Sequence, residues 1–173
     1  MTGLIFYLFL ALFISFVCSL VEAALLTTPK SYLLSIEKNN KWATSFLSFK
    51  NNIDKPLSAI LTLNTIAHTI GAAGVGAEVT SLFGDNYLGF ASAILTILIL
   101  FFSEIIPKTI GATYCKGLSK FTFYTVKFML MITYPFVVVS MKITGLIATK
   151  KDKNVTREQL SALANLGYDE GVF

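Results

Sequence analysis

The chain has little charge for its length. Asp, Glu, Lys and Arg make up 14% of its 173 residues, whereas 54% are hydrophobic and the mean hydropathy is +0.69. A soluble domain carries about 25% charged residues, so the polar surface of a water-soluble fold is missing and we expect a fold in the lipid bilayer. The formal net charge is +4. In so apolar a chain, basic residues set membrane orientation, and no nucleic-acid partner is expected.

Metal-binding and catalytic residues are also scarce. With one His and two Cys, the chain cannot build a zinc finger, a Cys₄ cluster or a disulfide framework. It has no Gly-x-x-x-x-Gly-Lys-Ser/Thr loop, no His-Glu-x-x-His motif and no nucleophile–base pair. We therefore predict neither an ATP-driven motor nor an enzyme, with no catalytic residue and no nucleotide site in this segment.

The chain is instead rich in long apolar segments. Four of them are found, at residues 3–26, 56–83, 87–106 and 121–147. A spanning helix needs about 20 largely apolar residues, so the first three segments are predicted to cross the membrane. The fourth is weaker because Lys127, Pro135 and Lys142 lie inside it. A cleaved signal peptide is disfavoured at the N-terminus, since no basic region precedes the first segment.

Lysines between the apolar segments predict the orientation. The connector 29–55 carries five Lys against Glu37 and Asp54, and further Lys residues follow the third and fourth segments, whereas the loop 84–86 has no basic residue. The positive-inside rule makes the Lys-rich stretches cytoplasmic. The chain is then a multi-pass protein of the plasma (inner) membrane, with its N-terminus outside and its C-terminus in the cytoplasm.

The fourth segment begins and ends on the cytoplasmic side, so it is not a simple span. Pro135 interrupts helical hydrogen bonding, and we predict two short helices, 119–134 and 136–148, at the cytoplasmic face. A further interfacial helix is expected within 31–50. Its apolar side would carry the aromatic residues Trp42, Phe46 and Phe49.

Residues 1–148 are thus predicted to form an all-α transmembrane domain. After them the composition becomes polar, and 156–159 form a capping box that would open a short soluble helix, closed by Gly167. The tail 149–173 ends without a terminal element. We expect it to begin a cytoplasmic region of a longer protein.

Polar side chains inside the predicted spans indicate function, because they are costly in lipid. At about 1.5 Å per residue, Ser19, Asn64 and Glu104 all fall about 6–12 Å into the cytoplasmic half. Glu22 and His68 lie one turn away from Ser19 and Asn64. Oxygen ligands with one carboxylate suit a hard cation such as Mg²⁺ or Na⁺. We therefore predict a cation site at Ser19, Asn64 and Glu104, with His68 and Glu22 as second-tier ligands.

Other roles for these residues stay open. Ser19 and Asn64 could equally be interhelical hydrogen-bond partners, and Glu104 could pair with Lys108 at i,i+4 spacing. His68 could be an interior hydrogen-bonded residue. The small residues at 71–77 predict close helix packing, dimerisation included.

Three motifs resemble those of the cyclin M (CNNM)/CorB/CorC family of Mg²⁺ transporters. They are Ser19-Leu20-Val21-Glu22-Ala23-Ala24, Asn64-Thr65-Ile66-Ala67-His68 and the most specific, Ser103-Glu104-Ile105-Ile106-Pro107-Lys108. The stretch 156–160 resembles the start of the family's cytoplasmic acidic helical region. His68 stands where a smaller polar residue is expected, and Ser103 where Gly is frequent.

The resemblance implies a dimeric domain of three spanning helices with a pair of short helices at the cytoplasmic face. Nucleotide-binding CBS domains normally follow, and we expect them to lie outside this chain. A dehydrated Mg²⁺ would be held by Ser19, Asn64, Glu104 and main-chain carbonyls. The implied function is Mg²⁺ transport, Na⁺-coupled export in particular, by a homodimer in the lipid bilayer. A Mg²⁺-sensing scaffold without transport would use the same site and is the alternative.

Overall fold

The computed structural model describes the backbone of residues 1–147 and the side chains of residues 1–143. All regular structure in this range is helical, which confirms the all-α class. Its α-helices are α1 (Thr2–Thr27), α2 (Lys30–Ile36), α3 (Lys41–Asn51), α4 (Asp54–Phe83), α5 (Leu88–Leu98), α6 (Ile106–Thr113), α7 (Cys115–Ile132) and α8 (Tyr134–Ile147). Two 3₁₀ turns, Glu37–Asn39 and Asp85–Tyr87, precede α3 and α5, and a π-helix, Ile99–Ile105, joins α5 to α6.

One compact unit ends at Lys142 and a second begins at Ile143. The predicted tail 149–173 and its capping box lie outside the described residues.

Three helical segments are long and apolar enough to cross a membrane. They are α1, α4 and the continuous run Asp85–Thr113, with 26, 30 and 29 residues, against about 20 that a span requires. The three spans expected from the sequence are therefore confirmed as candidates, and the chain is a membrane protein. The orientation of its termini stays a prediction.

The fourth apolar segment forms a bent pair of helices. α7 and α8 meet at an angle of 86°, and if the pair counts as one span the number of spans rises to four. The bend lies at Thr133, so the predicted helix bounds were wrong. Pro135 lies in the first turn of α8, where the absence of its N–H is tolerated because first-turn N–H groups have no intrahelical partner. That Pro135 causes the bend stays a prediction.

α1 and α4 pack as a close antiparallel pair because small residues line their contact. A Cβ atom at Gly71 would meet Ala11, and one at Gly74 would meet the Tyr7 ring. The contacts recur every four residues along α1 and every three or four residues in the reverse direction along α4. The matched pairs are Gly3 with Glu78, Tyr7 with Gly74, Ala11 with Gly71, and Ser15 with His68. The predicted packing role of the glycines is confirmed within the chain, while dimerisation is untested.

The predicted interfacial helix corresponds to α3, preceded by the shorter α2. Its aromatic residues pack on α7: the centroids of Trp42, Phe46 and Phe49 lie 6.5, 6.4 and 5.5 Å from that of Phe123. Phe46 is fully buried in a core cluster that also contains residues of α1, α4 and α8. The amphipathic side expected from the sequence therefore faces protein and anchors α3 beside the end of α1.

Lys50 of α3 caps the C-terminus of α1. Its Nζ donates to the carbonyl oxygens of Leu25 at 3.0 Å and Leu26 at 2.9 Å, two of the carbonyls that a helix end leaves without an intrahelical donor. Burial and, after it, the nearby Lys30 ammonium lower the pKa of Lys50 below its ordinary value. A cation at a helix C-terminus also interacts favourably with the helix dipole.

Lys50→Met should lower the free energy of unfolding by about 1–2 kcal/mol, since two carbonyls lose a charged donor that is only half-buried. The measurement is chemical unfolding in detergent, followed by circular dichroism. Lys41→Met is the matched control, because Lys41 lies on the exposed side of the same helix. Equal losses in the two variants would contradict the capping role.

Candidate cation site

Asn64 and Glu104 meet between the second and third spans. Asn64 lies on α4 and Glu104 in the π-helix, and Asn64 Nδ2 donates to Glu104 Oε1 at 3.3 Å. Both side chains are half-buried. An amide and a carboxylate on separate spans are thus held at one level of the helix bundle.

Ser19 adds a buried hydroxyl on α1. The residue is 1% exposed, and neither Ser19 Oγ nor Asn64 Oδ1 has a hydrogen-bond partner among the described residues. Ser15 Oγ lies 2.6 Å from His68 Nε2, so continuing the antiparallel register by one turn places Ser19 opposite Asn64. Buried oxygens without a partner are uncommon in proteins. One of them belongs to the residue that bonds to the Glu104 carboxylate, and a cation would satisfy an oxygen of this kind.

Lys108 joins the two carboxylates of this region. Its Nζ lies 2.7 Å from Glu104 Oε2, the i,i+4 pair that the sequence left open as an alternative role of Glu104, and 3.4 Å from Glu22 Oε2 on α1. The Glu22 and Glu104 side chains are 19% and 23% exposed, and that of Lys108 is 46% exposed. Glu22 therefore enters the cluster through Lys108, and the sequence did not predict this second ion pair.

His68 makes a different contact between α1 and α4. It bonds to Ser15 one turn from Asn64, further along α4. This interior hydrogen bond is one of the alternatives considered for His68. The polar residues of α1, namely Ser15, Ser19 and Glu22, form a seam about 10 Å long at 1.5 Å per residue.

The π-helix positions Glu104 and was not predicted. Ser103, which is fully buried, donates its hydroxyl to the Ile99 carbonyl at 2.8 Å. Pro107, at the start of α6, has no N–H to donate to the carbonyl four residues earlier. π-Helical turns occur often at functional sites. The sequence gives only Pro107 as a sign of irregular hydrogen bonding here.

Gly111 lets α6 lie directly against α1. A Cβ atom there would collide with the Leu20 carbonyl oxygen and would come within 3.1 Å of Ala23 Cβ. Gly111 is one turn from Lys108, so this close approach holds Lys108 within reach of Glu22. The contact of Gly111 was not predicted from the sequence. Its only sequence signal is that Gly111 is a small residue one turn from the charged Lys108.

The donor set of the cluster selects the class of ion. Among the side chains that the structure describes, no group of three or more His, Cys, Asp or Glu is arranged to hold a metal. The carboxylate of Glu104 and the amide of Asn64 are in contact, and the helix register places the Ser19 hydroxyl at the same level. Such oxygen ligands suit Mg²⁺ and similar hard cations, whereas zinc and copper prefer nitrogen and sulfur.

Three candidate spans define a polytopic membrane domain. The cyclin M transmembrane N-terminal domain model matches residues 5–173. The chain therefore belongs to the CNNM family.

Similar proteins come from distant organisms. The chain is 34% identical to a UPF0053 protein of Synechocystis sp. over 95% of this chain and 48% of the relative, and 30% identical to one of Haemophilus influenzae over 89% and 40%. A chloroplastic DUF21 domain-containing protein of Arabidopsis thaliana is 24% identical over 52% of this chain and 14% of its own length. The chain thus spans half or less of the length of these relatives.

Proposed function

We propose that this chain is the membrane domain of a Mg²⁺ transporter. The ion would be held between the three spans by Ser19 Oγ, Asn64 Oδ1 and the Glu104 carboxylate. The observation that supports this most is the pair of unsatisfied oxygens beside a carboxylate, inside the spans of a CNNM family chain. Glu104 supplies charge, while Ser19 and Asn64 replace water molecules of the hydrated ion.

The finer features of the proposal follow from the family and from the charge pattern. The protein works as a homodimer and exports Mg²⁺ in exchange for Na⁺. Its N-terminus faces outward and its C-terminus the cytoplasm of a cell bounded by the plasma membrane. Glu22 and His68 serve as second-tier ligands, and main-chain carbonyls near Pro107 complete the coordination. The protein transports and does not catalyse covalent chemistry.

The test is Mg²⁺ flux in proteoliposomes that contain a Mg²⁺-sensitive dye. With an opposing Na⁺ gradient, the wild type should move Mg²⁺ faster than protein-free vesicles. Glu104→Ala and Asn64→Ala should reduce the rate more than tenfold, since each ligand contributes several kcal/mol to holding a desolvated cation. Thr96→Val is the matched control, because Thr96 lies exposed on α5 and bonds only within its own helix.

Wild-type flux in both ligand variants would disprove the site. Mg²⁺ flux that does not depend on the Na⁺ gradient would disprove the coupling to Na⁺ and leave the Mg²⁺ site standing. Mg²⁺-dependent stabilisation of the purified protein without any flux would favour the alternative function, a Mg²⁺-sensing scaffold that regulates another transporter.

A further inference from the structure

We propose that the Lys108 ammonium is a tethered competitor of Mg²⁺, so that the side chain and the ion take turns at the carboxylate pair Glu22 and Glu104. The inference rests on the proposed function and adds a residue that sets the affinity for Mg²⁺.

The geometry supports a competing role. Lys108 Nζ contacts one carboxylate oxygen on each of two spans, Glu104 at 2.7 Å and Glu22 at 3.4 Å. The remaining oxygen of Glu104 accepts from Asn64, the residue whose own amide oxygen has no partner. The ammonium and the candidate ligands thus share the carboxylate of Glu104. A cation bound to Glu104 lies within a few ångströms of the Lys108 charge.

The charge balance makes joint occupancy unfavourable. The two carboxylates and Lys108 together carry a net charge of −1. Mg²⁺ beside all three would change it to +1, with two cationic groups in contact, whereas Mg²⁺ with Lys108 released leaves the cluster neutral. Uncompensated charge is costly inside a membrane protein, so Mg²⁺ binding favours release of Lys108.

The same balance separates divalent from monovalent ions. With Na⁺ in place of the ammonium, the cluster has the same net charge of −1 as with Lys108. Exchange of Lys108 for Na⁺ therefore brings no electrostatic gain. Na⁺ beside Lys108, by contrast, makes the cluster neutral, because the charges of two carboxylates, one ammonium and one Na⁺ sum to zero. Mg²⁺ binding therefore requires release of Lys108, whereas the charge balance lets Na⁺ bind beside it.

Lys108 is placed so that it can leave. Its side chain is 46% exposed, about twice as much as either carboxylate. Its four-carbon stem has several rotatable bonds. The carboxylates are more deeply placed, and Gly111 fixes α6 against α1. The ammonium can thus swing out of the cluster while the helices stay in contact.

Calorimetric titration of the purified chain with MgCl₂ and, separately, NaCl tests the proposal. Lys108→Met keeps the length of the side chain and removes its charge, so its Kd for Mg²⁺ should fall at least about tenfold below that of the wild type. Its Kd for Na⁺ should change by a smaller factor, because Na⁺ does not require release of Lys108. Lys120→Met, an exposed lysine of α7, is the matched control and should bind both ions like the wild type.

Amine labelling of the wild-type chain gives a second measurement that needs no variant at Lys108. Acetylation detected by mass spectrometry should rise severalfold at Lys108 when MgCl₂ is added and should not change at Lys120. Equal Mg²⁺ affinity in wild type and Lys108→Met, or labelling of Lys108 that ignores Mg²⁺, overturns this inference and leaves the transporter proposal standing. Absence of Mg²⁺ binding in both proteins overturns the two together.

Discussion

Gly111→Ala should destabilise the chain by about 3 kcal/mol, because a single added methyl group overpacks the contact between α6 and α1. The new Cβ would collide with the Leu20 carbonyl oxygen, which is backbone and has no rotamer to change. The helices must therefore move apart. Gly117→Ala is the matched control, since nothing lies within 4 Å of a Cβ at that position of α7. In a helix interior, Gly→Ala should stabilise by up to about 1 kcal/mol.

The two glycine variants are thus expected to change the free energy of unfolding in opposite directions. Chemical unfolding in detergent, followed by circular dichroism, measures both. Gly111→Ala should also weaken Mg²⁺ binding, because α6 continues the π-helix that holds Glu104. Equal stability of the two variants would show that the contact between α6 and α1 is looser than the structure has it.

The spans could be predicted from the sequence because they depend on composition alone. Long uncharged runs leave a chain few alternatives in lipid, where every backbone polar group must be bonded within a helix. The amphipathic side of α3 was predictable for a similar reason, since the spacing of Trp42, Phe46 and Phe49 is helical. The common level of Asn64 and Glu104 followed from counting residues from the cytoplasmic ends of two spans.

Features that depend on how helices meet could not be predicted in this way. The π-helix changes the direction of Glu104 without any change in composition, and the contact of Gly111 with Leu20 exists only because α6 crosses α1. The ion pair between Lys108 and Glu22 depends on both the π-helix and the close contact of α6 with α1. The position of the bend at Thr133 was also missed, because Pro135 is tolerated in a first helical turn as well as between two helices.

Phe46→Ala should cost about 3–5 kcal/mol of folding free energy, the usual range for removing a fully buried Phe. Phe46 has no exposed surface and lies in the core cluster with Leu25, Leu33 and Phe123. Its loss leaves a cavity where α3 meets α1 and α7. The substitution should also weaken the cation site. α3 carries Lys50, whose ammonium caps α1, and α1 carries Ser19 and Glu22.

Phe128→Ala is the matched control for this variant. Phe128 lies on α7 and is 57% exposed, so its truncation opens no cavity within the chain. Equilibrium unfolding should therefore separate the two variants by at least about 2 kcal/mol. A Phe46→Ala variant as stable as Phe128→Ala would mean that α3 is held mainly by lipid and not by the core cluster. In that case, the capping of α1 by Lys50 would also have to be weaker than the two hydrogen bonds indicate.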